Sequence, residues 1–430
     1  MNHGQVRKGK NDGDFKFRPS TRDAGRQDLK DLMYFVIKNS LISIILVSLS
    51  GWLFVHGCKE YRIKTVDDPA GLLKKNDLPR FPQVPNKLGR QAYYNNSNET
   101  AAEYLKIAIS GDIFFISAWL RLAQIEAATD NGKKAREILE FTSRYTQRVI
   151  RWKWRQALLA RELGMNDLFF SNTNVLLTRP GKRPDTFQLI DTHFQGQTLS
   201  VLNVLAPEHR TTYLNWLIGW NRVDDTQTVW KEITKTDPPD PVLATRYVHF
   251  LVGRNKIVPA AAIWQKLTGI DGVTNSGFEK KATHTGFDWR YSAARPGKWR
   301  VQRVGSPVHR GDFALEITFE GRENLSFSHL WQIVPITSHL PFKLTYAWQS
   351  HDVTTDQGPF VEVYGYNCKG LYKRGQMMLE TNSWQVETID FTPPEECRAV
   401  VIRLRRLPSK RFDSLISGKV RLDDFRLEVK

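Results

Sequence analysis

The stretch "TGIDGVTNSGFE" at residues 268–279 separates two different hydrophobic patterns. Before it, apolar residues recur at intervals of three and four, which is typical of amphipathic helices. After it, apolar and polar residues alternate, which is typical of strands that are buried on one side. The sequence therefore predicts a multidomain α + β chain whose helices precede its strands.

The helical pattern covers residues 97–268 and contains a repeat. "YLNWLIGWNRVDDTQTVWKEIT" begins at 213, and "YVHFLVGRNKIVPAAAIWQKLT" begins 34 residues later at 247. A 34-residue period of two helices is the tetratricopeptide spacing. The region therefore resembles a tetratricopeptide-type array, which implies stacked helix pairs and a concave surface for a protein partner. Its Trp and Tyr positions are expected to pack between helices.

The alternating pattern covers residues 271–430 and predicts an antiparallel β-sandwich. Segments such as "FALEITFEG", "PFVEVYGYN" and "RAVVIRLRRL" read as strands between turns rich in Gly, Pro, Asn and Asp.

Several short segments occur in a recognisable order: "NSGFE", "GFDWR", "HRGDFALEITF", "LWQIVPI", "SWQVETIDFTPP" and "GKVRLDDFRLE". Together they resemble the jelly-roll carbohydrate-binding modules related to those of xylanases and glucanases. Joined to an anchored helical-repeat domain, this module is similar to proteins of bacterial exopolysaccharide assembly systems. The resemblance implies a sandwich that binds a polysaccharide.

The same resemblance implies a structural calcium ion at one end of the sandwich. The matching positions are Glu279, the backbone around Gly311, and Asp423. Oxygen ligands from separate chain positions suit calcium. The alternative is that both carboxylates are ordinary surface groups. No other cofactor is expected.

Sugar binding needs aromatic faces for the ring C–H surfaces and planar polar groups for the hydroxyls. Alternation along the predicted strands turns six such side chains away from the core: Gln332, Gln349, Glu362, Tyr364, Arg403 and Arg405. We expect these six to form one glycan-binding sheet face. The alternative is a solvated face with routine cross-strand pairs. Three tryptophans are expected in the core instead: Trp331, Trp348 and Trp384.

Residues 39–60, "NSLISIILVSLSGWLFVHGCKE", include twenty residues without a charge between Lys38 and Lys59. As a helix this run is about 30 Å long, enough to cross a bilayer core. We expect one transmembrane helix at 37–57, a disordered cytoplasmic tail at 1–36 and a linker at 58–96. Basic residues flank the span on both sides, so charge does not choose its orientation. Lipidation of Cys58 stays open.

The chain carries a net charge of +17, spread along its length. Because no block of like charges occurs, a nucleic-acid partner is not expected, whereas acidic polysaccharide or phospholipid suits the diffuse positive field. Three cysteines do not make a disulfide framework. Cys368 and Cys397 can form a disulfide if their strands are neighbours and the compartment is oxidising, and the sequence leaves this open.

No nucleophile elbow, P-loop, zinc-protease motif or dinucleotide fingerprint occurs. The sequence therefore favours a non-catalytic protein, and the resemblance to exopolysaccharide assembly proteins implies a scaffold in the inner membrane. Its repeats would bind a protein of polysaccharide assembly, and its sandwich would bind the glycan outside the membrane. Two alternatives remain: a purely protein-binding membrane scaffold with a degenerate sandwich, and a carbohydrate-active enzyme.

Overall fold

The computed structural model describes residues 21–65, 82–129, 131–235, 238–337, 339–412 and 414–430. The chain divides into two compact units, Met1–Leu176 and Leu177–Lys430. The described part contains thirteen α-helices followed by two antiparallel sheets, which confirms the predicted fold class.

The first helix, α1 (Thr21–Thr65), contains a segment able to cross a membrane by its length and composition, Met33–Val55. Residues 21–36, which the sequence placed in a disordered tail, are helical, because the helix continues through the charged segment before the apolar run. Residues 1–20 of that tail lie outside the described residues.

The first unit continues with six more helices. They are α2 (Gln83–Tyr94), α3 (Asn98–Gly111), α4 (Ile116–Ala128), α5 (Gly132–Tyr145), α6 (Ile150–Glu162) and α7 (Asn166–Leu177). Helix α2 corrects the predicted linker at 58–96. Its Val84 and Leu88 are buried with Tyr104 packed against them, so it belongs to the packed helical region. The middle of that linker, 66–81, lies outside the described residues.

The second unit begins with six helices: α8 (Arg183–His193), α9 (Thr198–Val204), α10 (Arg210–Gly219), α11 (Val223–Ile233), α12 (Pro241–Gly253) and α13 (Ile257–Thr268). The two predicted repeats correspond to α10–α11 and α12–α13. Asn221 and Asn255 occupy equivalent turns, with φ of 58° and 56°. Trp230 packs on Tyr247 with ring centroids 4.7 Å apart. The helix pairs are thus confirmed, while their assignment to the tetratricopeptide class stays a prediction.

Eleven strands follow in the described residues. They are β1 (Arg290–Tyr291), β2 (Ala294–Arg295), β3 (Trp299–Val304), β4 (Ala314–Glu320), β5 (Phe327–Pro335), β6 (Phe342–Thr354), β7 (Phe360–Gly365), β8 (Tyr372–Arg374), β9 (Glu380–Phe391), β10 (Ala399–Arg406) and β11 (Ser417–Val429).

The strands form a five-stranded sheet in the order β1-β5-β10-β7-β8 and a six-stranded sheet in the order β2-β3-β4-β11-β6-β9. Apolar side chains from both sheets make one core between them, including Ile317, Leu344 and Ile402. Each sheet therefore has an inner face in the core and an outer face directed away from it. We call these outer surfaces the five-strand face and the six-strand face.

A disulfide joins Cys368, just after β7, to Cys397, just before β10, with the Cα atoms 5.4 Å apart. The two strands are neighbours in the five-stranded sheet, so the pairing that the sequence left open is present. Helix α12 also touches this region, because the Tyr366 hydroxyl donates to the Val252 carbonyl at 3.2 Å.

Candidate functional site

Strand alternation decides which side chains reach the five-strand face. Val400, Ile402 and Leu404 of β10 point into the core, as do Val361 and Val363 of β7. Because successive side chains alternate, Arg403 and Arg405 of β10 lie on the outer face, with Glu362 and Tyr364 of β7 beside them. The register confirms this, since Arg403 is opposite Glu362 and Arg405 is opposite Phe360.

One row of side chains crosses the whole five-strand face. Directly opposed residues of neighbouring antiparallel strands lie on the same side of the sheet. The paired positions from β1 to β8 are, in order, Arg290, Trp331, Arg403, Glu362 and Arg374. The row sets one aromatic ring between two guanidinium groups. We call it the transverse row.

Glu362 is the acidic member of the row, and only 3% of its surface is exposed. Arg403 Nε donates to Glu362 Oε1 at 2.5 Å, and Arg403 Nη2 also contacts that oxygen. The Tyr372 hydroxyl donates to Glu362 Oε2 at 3.2 Å. Both carboxylate oxygens are therefore engaged, and Glu362 fixes the position of Arg403.

Arg403 and Arg374 of this face also lie over aromatic rings. The Arg403 guanidinium is 4.7 Å from the ring centroid of Tyr364, and Arg374 is 5.3 Å from that of Phe360. Burial raises the pKa of Tyr364 above its ordinary value, so its hydroxyl stays protonated and can donate a hydrogen bond.

The other end of the row adjoins helix α12. The Arg290 guanidinium stacks 4.7 Å from the Trp331 ring centroid, and its Nη2 donates to the Gly286 carbonyl at 2.9 Å. Burial lowers the pKa of Arg290. Burial, and secondarily the charge of Arg290, also lower the pKa of His249 on α12. His249 is therefore neutral at pH 7 and adds no second positive charge there.

The structure brings together four of the six predicted glycan-binding residues: Glu362, Tyr364, Arg403 and Arg405. Gln332 is not among them, which corrects the predicted face. It is opposite Ile402 on the core side, with none of its surface exposed. Its side chain donates to the Thr274 carbonyl at 2.8 Å and accepts from the Thr274 N–H at 3.2 Å. The alternation of β5 is shifted by one residue from the predicted one, so Trp331 lies on the outer face and Gln332 on the core side.

Gln349 also lies elsewhere, because β6 belongs to the six-stranded sheet. It points outward as expected, but on the six-strand face, where it accepts from Arg421 Nη1 at 2.8 Å. Arg421 in turn pairs with the buried Glu316 at 2.7 Å. Gln349 therefore belongs to a different polar network from that of Arg403.

Trp331 was expected in the core, but it is a partly exposed member of the outer face. Trp348 does lie in the core, as expected, whereas Trp384 on β9 is partly exposed. No local signal identifies Trp331, because "LWQIV" is apolar at both phases and the partner Arg290 lies 41 residues earlier in the chain.

The two predicted metal ligands meet at one pocket, together with Gly277 and Gly311. A Cβ on Gly277 would lie 3.4 Å from Asp423 Oδ1 and 3.6 Å from Glu279 Oε1, and a Cβ on Gly311 would overlap Glu279 Oε1. Gly311 thus lets the Glu279 carboxylate lie against the backbone, and Gly277 leaves space beside both carboxylates. Burial raises the pKa of Asp423, against the opposing effect of its backbone N–H donors.

This cradle fits a calcium ion in its carboxylate chemistry and its open space. Both carboxylates also accept backbone N–H groups: Asp423 Oδ2 from His309 at 2.9 Å, and Glu279 Oε1 from Asp312 at 3.1 Å. The described residues contain no group of three or more His, Cys, Asp or Glu side chains suited to a metal. Backbone carbonyls or water would therefore complete the shell, and calcium at Glu279 and Asp423 stays a prediction.

Three similar solved structures each cover about a third of this chain. TmCBM61, solved in complex with β-1,4-galactotriose, is 17% identical, with 37% of this chain and 99% of that chain covered and a TM-score of 0.28. The CBM22-1 xylan-binding domain of Paenibacillus barcinonensis Xyn10C is 12% identical, with 36% and 91% covered and a TM-score of 0.25.

A Stig cyclase of Fischerella sp. TAU is 15% identical, with 37% of this chain and 98% of that chain covered and a TM-score of 0.27. No family model and no curated protein matches the chain. At such TM-scores these likenesses carry no argument about function, so the proposals below rest on the residues themselves.

Proposed function

We propose that this chain is a membrane-anchored, non-catalytic scaffold whose five-strand face binds a polysaccharide. The transverse row is the observation that carries the proposal. A partly exposed Trp331 offers its ring to a sugar, and guanidinium groups beside it can bind hydroxyl or carboxylate oxygens. A row that crosses five strands suits an extended chain better than a small molecule.

Binding without catalysis is supported by the acidic groups near Trp331. Glycoside hydrolysis commonly uses two carboxylates about 5–10 Å apart. Among the described residues, the transverse row supplies only Glu362, which is buried and paired with Arg403. Assays for release of new reducing ends from polysaccharide test this part, and turnover that requires Glu362 would favour the enzyme alternative.

Two observations support an anchored protein with its sandwich outside the inner membrane. The segment Met33–Val55 can span a bilayer by length and composition. The Cys368–Cys397 disulfide suits an oxidising compartment rather than the cytoplasm. Reporters fused after Lys430 and active on opposite sides of the membrane test the orientation. A cytoplasmic C-terminus would remove the sandwich from exported polymer.

The helical region would hold a protein of the polysaccharide assembly machinery. An aromatic cluster on the first unit supports this, since Phe114 and Tyr145 are more than half exposed and lie 5.7 Å apart between ring centroids. Replacing both with Ser should release the partner in co-purification without changing glycan binding. A partner that stays bound would place its docking surface elsewhere.

The binding proposal is tested by replacing Trp331 with Ala in the full chain in detergent. Loss of a stacking ring should weaken binding to the recognised polysaccharide about tenfold, measured by affinity electrophoresis. Trp384→Ala on β9 removes an equal ring from the other sheet and should leave binding unchanged. Equal loss in both variants, or in neither, would favour the purely protein-binding scaffold.

A further inference from the structure

The five-strand face carries far more positive than negative charge. Around Trp331 and Tyr364, the described residues place four guanidinium groups, from Arg290, Arg374, Arg403 and Arg405, against the single carboxylate of Glu362. The six-strand face differs, because there the positive charge of Arg421 is paired with the carboxylate of Glu316.

Three of these guanidinium groups have no carboxylate partner among the described residues. Arg403 uses Glu362, whereas Arg290, Arg374 and Arg405 make no ion pair there. A cation without a counter-ion on an exposed helix is ordinary, but here Arg290 stacks on Trp331 and Arg374 lies over Phe360 on one face of a sheet. A guanidinium group next to an aromatic ring can bind an anionic group of a ligand whose sugar ring stacks nearby.

Arg290 is the strongest of the three in this respect. It is partly buried, its Nε is buried without a hydrogen-bond partner, and its Nη2 is held by the Gly286 carbonyl. Its stacking on Trp331 holds the guanidinium group next to that ring. Removing a charged group from water without a partner is unfavourable, so an anion bound there is stabilised.

We infer that the polysaccharide bound by this face is acidic, and that Arg290 binds a sugar carboxylate while Trp331 stacks on a ring of the same chain. The inference rests on the proposed function and names its ligand class. Arg290 would therefore determine specificity between acidic and neutral polymers, and Trp331 would contribute to binding of both.

The test compares three polymers on the full chain in detergent: polygalacturonate, its neutral methyl ester, and polyglutamate, which carries carboxylates but no sugar. Polygalacturonate should bind about tenfold more tightly than the methyl ester, as expected for one charge-assisted contact. Arg290→Gln should remove most of that difference and leave binding of the methyl ester unchanged. Arg300→Gln, an exposed arginine on the six-strand face, is the matched control for charge and should change neither.

The possible outcomes separate the two proposals. Equal binding of both polysaccharides, unaffected by Arg290→Gln, overturns the acidic ligand but leaves glycan binding intact. Polyglutamate bound as tightly as polygalacturonate, with Arg300→Gln as damaging as Arg290→Gln, shows general charge attraction and also overturns it. If neither polysaccharide shows binding that depends on Trp331, both proposals fall. Should Arg290→Gln fail to fold, Arg290→Lys keeps the charge but loses the planar guanidinium and should still reduce the preference for polygalacturonate, whereas an unchanged preference would overturn the role of Arg290.

Discussion

The two outer faces of the sandwich use the same residue types in opposite ways. The six-strand face carries what we call a closed row, in which each side chain is hydrogen-bonded to the next: Gln302, Glu316, Arg421 and Gln349. On the five-strand face, the transverse row leaves Arg290 and Arg374 without a carboxylate in the described residues. A closed row satisfies its own charges, whereas an open row keeps bonding capacity for a ligand.

The paired charges of the six-strand face are expected to stabilise the fold, and the unpaired charges of the five-strand face to bind a ligand. Charges that are paired and buried within one network hold a sheet together, and removing one partner is costly. Unpaired charges that stack on rings contribute about 0.5–2 kcal/mol each, so their replacement costs less than breaking a buried ion pair. We therefore expect substitutions on the six-strand face to change unfolding, and substitutions on the five-strand face to change binding.

The largest effect is expected for Arg421→Met. It leaves the Glu316 carboxylate, 3% exposed, with a hydrogen bond from Gln302 and, among the described residues, only Lys419 at 3.7 Å as a cation. The free energy of unfolding of the sandwich should fall by about 3 kcal/mol, measured by denaturant unfolding. Adding Glu316→Gln to the same chain should recover most of the loss, since it removes the uncompensated charge. No loss from the single variant would show that the row is not a structural network.

The disulfide is expected to contribute about as much to the stability of the sandwich. Replacing Cys368 and Cys397 with Ser releases a constraint between positions separated by 29 residues. The free energy of unfolding should fall by roughly 3 kcal/mol from the loss of that cross-link, measured in the same way. Cys58→Ser is the control, because Cys58 is free in the structure. An unchanged midpoint for the double variant would mean that the bond does not form in the protein.

Calcium at the Glu279–Asp423 cradle is expected to act on the six-stranded sheet, since Asp423 lies in β11. Excess calcium over EDTA should raise the thermal midpoint by roughly 5 to 10 °C, as for a ligand at about a hundred times its Kd. Glu279→Gln should abolish the shift, and Glu396→Gln, an exposed acid without a role here, should keep it. If the thermal midpoint of the wild-type chain is the same in calcium and in EDTA, the chain does not bind calcium at this cradle.

Alternation in the sequence was enough to place part of the candidate site. In β7 and in the second half of β10, aliphatic residues alternate with polar or aromatic ones, so the outward positions of Glu362, Tyr364, Arg403 and Arg405 followed from pattern alone. In β5, the run "LWQIVPI" has apolar residues at both phases, and the choice of Gln332 over Trp331 was a one-residue error.

Other features depend on which strands become neighbours, which no local pattern contains. Gln349 was predicted to point outward, but its strand joined the other sheet. The stack of Arg290 on Trp331 and the bond of Cys368 to Cys397 each require two distant segments to pair. The transverse row therefore becomes visible only once the sheet order is known.

The smallest expected effect is also the sharpest test of the open row. Glu362→Gln removes the only carboxylate of the transverse row and releases Arg403 from its ion pair. Binding of polygalacturonate should strengthen about two- to threefold and become more sensitive to salt, because one more guanidinium faces the ligand. Glu428→Gln, an exposed acid on β11, makes the same change of net charge and should have no effect. If Glu362→Gln instead abolishes binding of acidic and neutral polymers alike, Glu362 acts by holding Arg403 in place or by binding hydroxyls. In that case a fixed geometry, rather than free positive charge, is what distinguishes the five-strand face from the six-strand face.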